Sequence, residues 1–142
     1  MKKYFYILSI LMISALSCKK KGCTVENATN YNSEAKKDDG SCVYEAKTSF
    51  WFSEGVSAFL VGPYDVTELT VYMDDVAVGT MDPADWKIGP DCNGENFTVV
   101  TDLGTFSGKN FTYSVRDNFG TEQFSGTVSL VGNDCKSVEL KW

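Results

Sequence analysis

From Ala46 to Trp142, apolar and polar residues alternate in short runs separated by turn formers. This is the period-two pattern of strands that bury one face. Thr48 to Ser53 interleaves aromatics with small polar residues, so Phe50 or Trp51 faces inward in either register. Thr67 to Met73 places Leu69, Val71 and Met73 on one face, Asp74-Asp75 forms a hairpin turn, and Val76 to Met81 returns. Residues 82 to 91 carry Pro83 and Pro90, which exclude a central strand. Further strands are expected at Asn96 to Thr101, Asn110 to Arg116, Thr121 to Val131 and Lys136 to Trp142. Gly126 predicts a gap or bulge, and the last strand presents Val138, Leu140 and Trp142 inward. Helix signal is nearly absent. About seven short strands and little helix predict an all-β fold, a single β-sandwich over residues 46–142.

The N-terminal pattern is different. Met1-Lys2-Lys3 is a positive start, and Tyr4 to Leu16 is mostly apolar. As a helix that segment would measure about 20 Å, short of a hydrocarbon core of roughly 30 Å. It ends in Ser14-Ala15-Leu16-Ser17-Cys18, followed by Lys19-Lys20-Lys21. A small residue before a cysteine, after a basic start and an apolar core, resembles the processing site of a bacterial lipoprotein. The resemblance implies a signal peptide over residues 1–17, acyl chains such as palmitate on Cys18, and a lipidated tether over residues 18–22. It implies a location in the cell envelope, at the outer membrane. Lys19 to Lys21 stand where surface-directed relatives carry acids, so the periplasmic and the outward face both remain open.

Residues 23–45 are polar and bracketed by Cys23 and Cys42. Asn, Asp, Ser and Thr here favour turns held by side-chain to backbone hydrogen bonds. Ala28, Asn30-Tyr31-Asn32 and Asp38-Asp39-Gly40-Ser41-Cys42 match a cysteine-bracketed repeat of exported Bacteroidota proteins, which the block resembles. The resemblance implies a disulfide-closed spacer. Asn30, Asn32, Asp38 and Asp39 are also oxygen donors, a candidate calcium set. Their spacing is not that of an EF-hand: with Gly40 as the loop glycine, Ala35 and Lys37 would fall on ligand positions.

Two further stretches resemble small Bacteroidota lipoproteins and, more loosely, PEGA-type β-domains. Leu69 to Thr80 is similar to their Val-Tyr-Val-Asp-Gly hairpin ending in Val-Gly-Thr, with Asp75 in place of the usual glycine. Phe111-Thr112-Tyr113, Asp117, Ser125-Gly126-Thr127-Val128, Cys135 and Leu140 follow their later strands in order. What this implies is an immunoglobulin-like or PEGA-like sandwich, and no catalytic residue.

Charge and cysteines narrow the classes. Residues 46–142 hold six basic and fourteen acidic side chains, a net of −8, so a phosphate backbone is repelled and nucleic acid is not an expected partner. With Cys18 set aside for lipid, Cys23, Cys42, Cys92 and Cys135 can form two disulfides in an exported protein. Three pairings are possible, and the local one joins Cys23 to Cys42 and Cys92 to Cys135.

The chain has no histidine, so Ser-His-Asp and Cys-His nucleophile arrangements cannot be built. No glycine-rich phosphate loop joins a strand to a helix. The expectation is a protein that is not an enzyme, without a cofactor unless calcium binds at the 23–45 block. Trp51, Phe52, Trp86, Phe106 and Phe119 could form an exposed platform for a glycan or peptide. Trp86 and Phe119 lie in expected loops and are the candidate ligand-binding residues. The function expected is a structural or interaction module of the envelope, anchored to the membrane through Cys18, with an envelope protein or glycan as partner.

Overall fold

The computed structural model describes residues 19–89, 92 and 97–142. Cys18, the leader before it and Asn96 lie outside the described residues. The chain runs β1 (Tyr44–Trp51), α1 (Glu54–Val61), β2 (Leu69–Met73), β3 (Val76–Met81), β4 (Phe97–Gly104), β5 (Gly108–Asp117), β6 (Glu122–Val131) and β7 (Cys135–Glu139).

The strands form two sheets, ordered β4-β1-β7 and β3-β2-β5-β6. The protein is an all-β sandwich. Between these strands the pairings are antiparallel except that of β1 with β7, which run parallel. The inward residues follow the period of two: Leu69, Val71 and Met73 from β2, Phe111 and Val115 from β5, and Phe124, Val128 and Leu130 from β6 are all buried. Phe50 meets them from β1, fully buried, with its ring 5.5 Å from that of Tyr113.

All seven expected strands form, with shifted ends. The first begins at Tyr44, and the last stops at Glu139. Gly126 produces no bulge; it stands opposite Tyr113, whose ring fills the space that a side chain there would need. Asp74 and Asp75 both adopt positive φ, 45° and 64°, the double left-handed geometry of a two-residue hairpin turn. Asp74 offsets the strain by accepting the Thr112 N–H at 2.9 Å and the Thr112 hydroxyl at 3.1 Å.

One element departs from expectation. Residues 54–61 form a helix, with Ser53 in extended geometry at its N-cap and Val56, Ser57 and Leu60 buried on one face. The Ser57 hydroxyl donates to the Pro83 carbonyl at 2.7 Å, fastening the helix to the irregular stretch after β3. Gly62 and Pro63 end it.

The 23–45 block packs on the sandwich instead of standing off as a spacer. Cys23, Ala28 and Cys42 belong to the same apolar core as the strands. Within the block the Thr29 N–H donates to Val43 C=O at 2.8 Å, and across to the sandwich the Asn27 amide reaches Gly132 C=O at 3.4 Å. Both local disulfides are present, Cys23–Cys42 and Cys92–Cys135, with Cα atoms 4.8 Å and 6.1 Å apart.

Candidate functional site

The strands give the molecule two poles. Tyr44, Gly104, Gly108, Val131 and Cys135 lie at one, as the pairings of β1, β4, β5, β6 and β7 require. The 23–45 block docks there, and the chain enters through Lys19 to Gly22. Lys20 forms an ion pair with Glu34, and its carbonyl accepts the Lys36 N–H at 2.8 Å, so the tether is laid along the block. Helix α1, the turn at residues 117–121 and the C-terminal residues lie at the other pole. Ten residues of β6 separate the two, roughly 30 Å at the rise of an antiparallel strand.

The second pole carries a group of exposed aromatic rings. Phe59 extends from α1, beside the buried Val56–Leu60 stripe. Its ring lies 5.9 Å from Tyr64, in the loop after the helix, and 5.8 Å from Trp142 in an edge-to-face contact. Trp142 in turn stacks at 5.3 Å on Phe124, which is buried. Phe59, Tyr64 and Trp142 are 51%, 52% and 64% exposed, far more than core rings tolerate. Phe119 stands on the neighbouring turn, 66% exposed, and that turn is tied to the same loop by the Thr67 N–H donating to Asn118 Oδ1 at 2.9 Å.

The turn itself is built on Asp117, a buried carboxylate. Its Oδ1 accepts the Phe119 and Thr121 N–H groups at 2.9 Å and 2.8 Å, and its Oδ2 accepts the Gln123 amide at 2.8 Å. Burial opposes the charge. The hydrogen bonds from Gln123, Thr121, Phe119 and Gly120 outweigh it and hold the carboxyl below its ordinary value of 3.8.

The aromatics expected from sequence divide. Phe119 is exposed as expected; Phe106 is exposed too, but the two sit beyond opposite ends of β5 and cannot share a platform. Trp86 is partly buried against the core, because the irregular stretch that carries it folds back onto the sandwich. Phe52 is fully buried, and Trp51 is half-buried with its indole N–H donating to Ser137 Oγ at 2.9 Å. Trp142, expected inward, lies beyond the end of β7 and faces solvent. Phe59 and Tyr64 escaped the sequence pattern. The one signal for them was the Val56–Leu60 spacing of four, which turns Phe59 out of the buried stripe.

The four candidate calcium donors are each engaged in separate backbone contacts. Asn30 bridges the Ser41 carbonyl and the Val43 N–H, at 2.6 Å and 2.9 Å. Asn32, Asp38 and Asp39 each accept the backbone N–H two residues on, from Glu34, Gly40 and Ser41. Hydrogen bonds from the Ser41 side chain and backbone lower the Asp39 pKa. Among the described residues, no three His, Cys, Asp or Glu side chains are grouped to hold a metal ion. No described helix is long and apolar enough to cross a membrane.

Two larger concavities are shallow. A groove of about 630 Å³ lies between the 23–45 block and β1, lined in part by Tyr31, Glu45 and Asp134. A second, of about 340 Å³, lies on the hydroxyl-rich outer face of β5 and β6. No protein-family model matches this chain, and neither curated proteins nor solved structures give a significant match.

Proposed function

We propose that this chain is a non-catalytic, lipid-anchored module of a bacterial cell envelope that engages a partner through its aromatic pole. The anchor is Cys18, on the strength of the apolar leader, the small residues before it and the lysines after it. The observation that carries the recognition half is the contact group of Phe59, Tyr64 and Trp142, three exposed rings held together by one another. Exposed aromatic rings in mutual contact are the side chains that dominate interfaces once a partner covers them. They stand at the end of the strands remote from the chain's own tether. Flat rings also stack on sugars, so a glycan or peptide ligand at the same pole is the second reading.

Two measurements test the two halves. Metabolic labelling with a clickable fatty acid should mark the wild-type chain and leave Cys18→Ser unmarked; equal labelling of both removes the anchor assignment. Cross-linking in intact cells, followed by identification of the linked species, should lose the principal adduct in the Phe59→Ala, Trp142→Ala double variant. A drop of about tenfold or more is expected of an aromatic hot spot. Adduct formation at the wild-type level removes the aromatic pole as the recognition surface.

A further inference from the structure

We propose that two copies of this chain pair edge to edge through β6, joining their four-stranded sheets into one of eight. The starting observation is that β6 is the outermost strand of its sheet and, among the described residues, pairs with β5 alone. In an antiparallel pair, hydrogen-bonded and non-hydrogen-bonded positions alternate. The Gly132 N–H donates to Ser107 C=O at 2.9 Å, which continues the register that sets Leu130 opposite Lys109. Counting back in twos, Leu130, Val128, Gly126 and Phe124 give their backbone groups to β5.

Ser125, Thr127 and Ser129 therefore aim their N–H and C=O groups at the open edge. The far side of β5 gives the same parity. Thr112, the cross-strand partner of Thr127, donates its N–H to Asp74 Oδ1 at 2.9 Å and accepts the Asp74 N–H at 2.9 Å, so its backbone faces away from β6. The register shift between β5 and β6 lies at Val115/Arg116, before this stretch, and leaves it undisturbed.

Sandwich edges are ordinarily protected from strand addition by charge, proline, bulges or shortness. The other edges here use such devices. β7 has five residues and carries Lys136 and Glu139, β4 carries Asp102, and β3 is six residues long beside a register shift at Val71/Tyr72. β6 is ten residues long, and from Gln123 to Val131 it contains no charge and no proline.

The edge also fits a second copy of itself. A two-fold axis beside the open edge at Thr127, perpendicular to the sheet and midway between the paired strands, places Thr127 opposite Thr127 and Ser125 opposite Ser129. This extends the hydroxyl rows that β5 and β6 already share, Thr112 with Thr127 and Ser114 with Ser125. On the inward face it sets Phe124 opposite Leu130 and Gly126 opposite Val128, large against medium and small against branched. No charged side chain meets a like charge across the paired stretch, in a chain of net charge −6. The contact is isologous and closes on itself as a dimer. The paired strands run in opposite directions, so the two N-terminal blocks emerge at opposite ends, each beside the other copy's aromatic pole, and both Cys18 anchors meet one membrane when the joined sheet lies along it.

The test uses the full chain in detergent micelles, with mass read by light scattering and folding by near-ultraviolet circular dichroism. Wild type should be a dimer. Thr127→Lys and Thr127→Glu each set like charges face to face and should raise the dissociation constant about tenfold or more. An equimolar mixture of the two should recover the dimer. Thr127 is exposed on the outer face, so both variants should keep the wild-type dichroism. A second measurement does not depend on those charges. Thr127→Cys should link to itself with a short bismaleimide, whereas Thr112→Cys, whose two copies would lie about 14 Å apart across three strand spacings, should not. A monomeric wild type, charge variants that dimerise unchanged, or equal linking at both cysteines would overturn the proposal.

Discussion

The ring of Tyr44 packs on the backbone of Gly132 so closely that a Cβ added there would stand 2.5 Å from its Cδ1 and 3.0 Å from its Cβ. Tyr44 is buried at the start of β1 and has nowhere to move. Gly132 is held in turn by its N–H to Ser107 C=O and by its carbonyl, which accepts the Asn27 amide. Gly132→Ala should therefore lose about 1–3 kcal/mol through overpacking, read as a lower urea midpoint. In a Tyr44→Ala background the same substitution should cost less, since the ring carbons at 2.5 Å and 3.0 Å are then gone. Purely additive losses would mean the clash is not the cause.

The strands were readable because one buried face imposes a period of two over several residues, as at Leu69, Val71 and Met73. Helix α1 was not, because eight residues are about two turns and offer a single buried pair spaced by four, Val56 and Leu60. Docking of the 23–45 block was equally hidden. Its buried apolar residues, Cys23, Ala28 and Cys42, are small and scattered, and their burial depends on a surface made by distant strands. For the candidate site, Phe119 was legible as an aromatic in a turn. Phe59 and Tyr64 lie on a short helix and the loop after it, and only the folded chain brings Trp142 to them.

Asp117 predicts an acid-sensitive pole. Its folded pKa is depressed below the ordinary 3.8. Its stabilising contribution is therefore complete above the unfolded value and is lost as pH falls from there through the folded one. Asp117→Asn places an amide nitrogen or a weaker acceptor against the Gln123 and Thr121 donors and should lose about 1–3 kcal/mol at neutral pH. Below about pH 3.8 the difference from wild type should shrink. Urea midpoints measured across that range check it, and a gap that stays constant with pH would refute the carboxylate's role.

The disulfides should differ in their response to reductant. Cys23 and Cys42 are buried, whereas Cys135 is exposed and Cys92 half-buried. Thiolate attack needs access to a sulfur, so mild reductant should open Cys92–Cys135 first, as differential alkylation and mass spectrometry would show. On the loop-entropy model the bridges contribute about 3 kcal/mol for Cys23–Cys42 and about 4 kcal/mol for Cys92–Cys135. Selective opening should lower the melting temperature while leaving the 23–45 block closed.

The 23–45 block is held by its bridge and by side-chain to backbone bonds, among which Asn30 makes two. Excess EDTA should leave the melting temperature of the wild-type chain unchanged, and a fall would establish a bound cation. Asn30→Ala should lower it, through a stability loss of about 1 kcal/mol for each bond removed.

Neighbouring positions on one helix separate stability from recognition. Leu60 is fully buried and Phe59 is half exposed, although they are adjacent in sequence. Leu60→Ala opens a cavity under α1 and should lose about 2–5 kcal/mol. Phe59→Ala gives up its ring contacts with Tyr64 and Trp142, worth about 0.5–1.5 kcal/mol each at most, and water already covers half of the ring. Its loss in urea should stay near 1 kcal/mol, well below that of Leu60→Ala. Acrylamide quenching supplies the second readout. Trp142 rests on Phe59 and is mostly exposed, so Phe59→Ala should raise the accessible fraction of tryptophan emission while the half-buried Trp51 keeps its hydrogen bond to Ser137. If Phe59→Ala instead unfolds the chain as readily as Leu60→Ala, the ring is part of the core, and the aromatic pole is a structural seam with no surface to offer a partner.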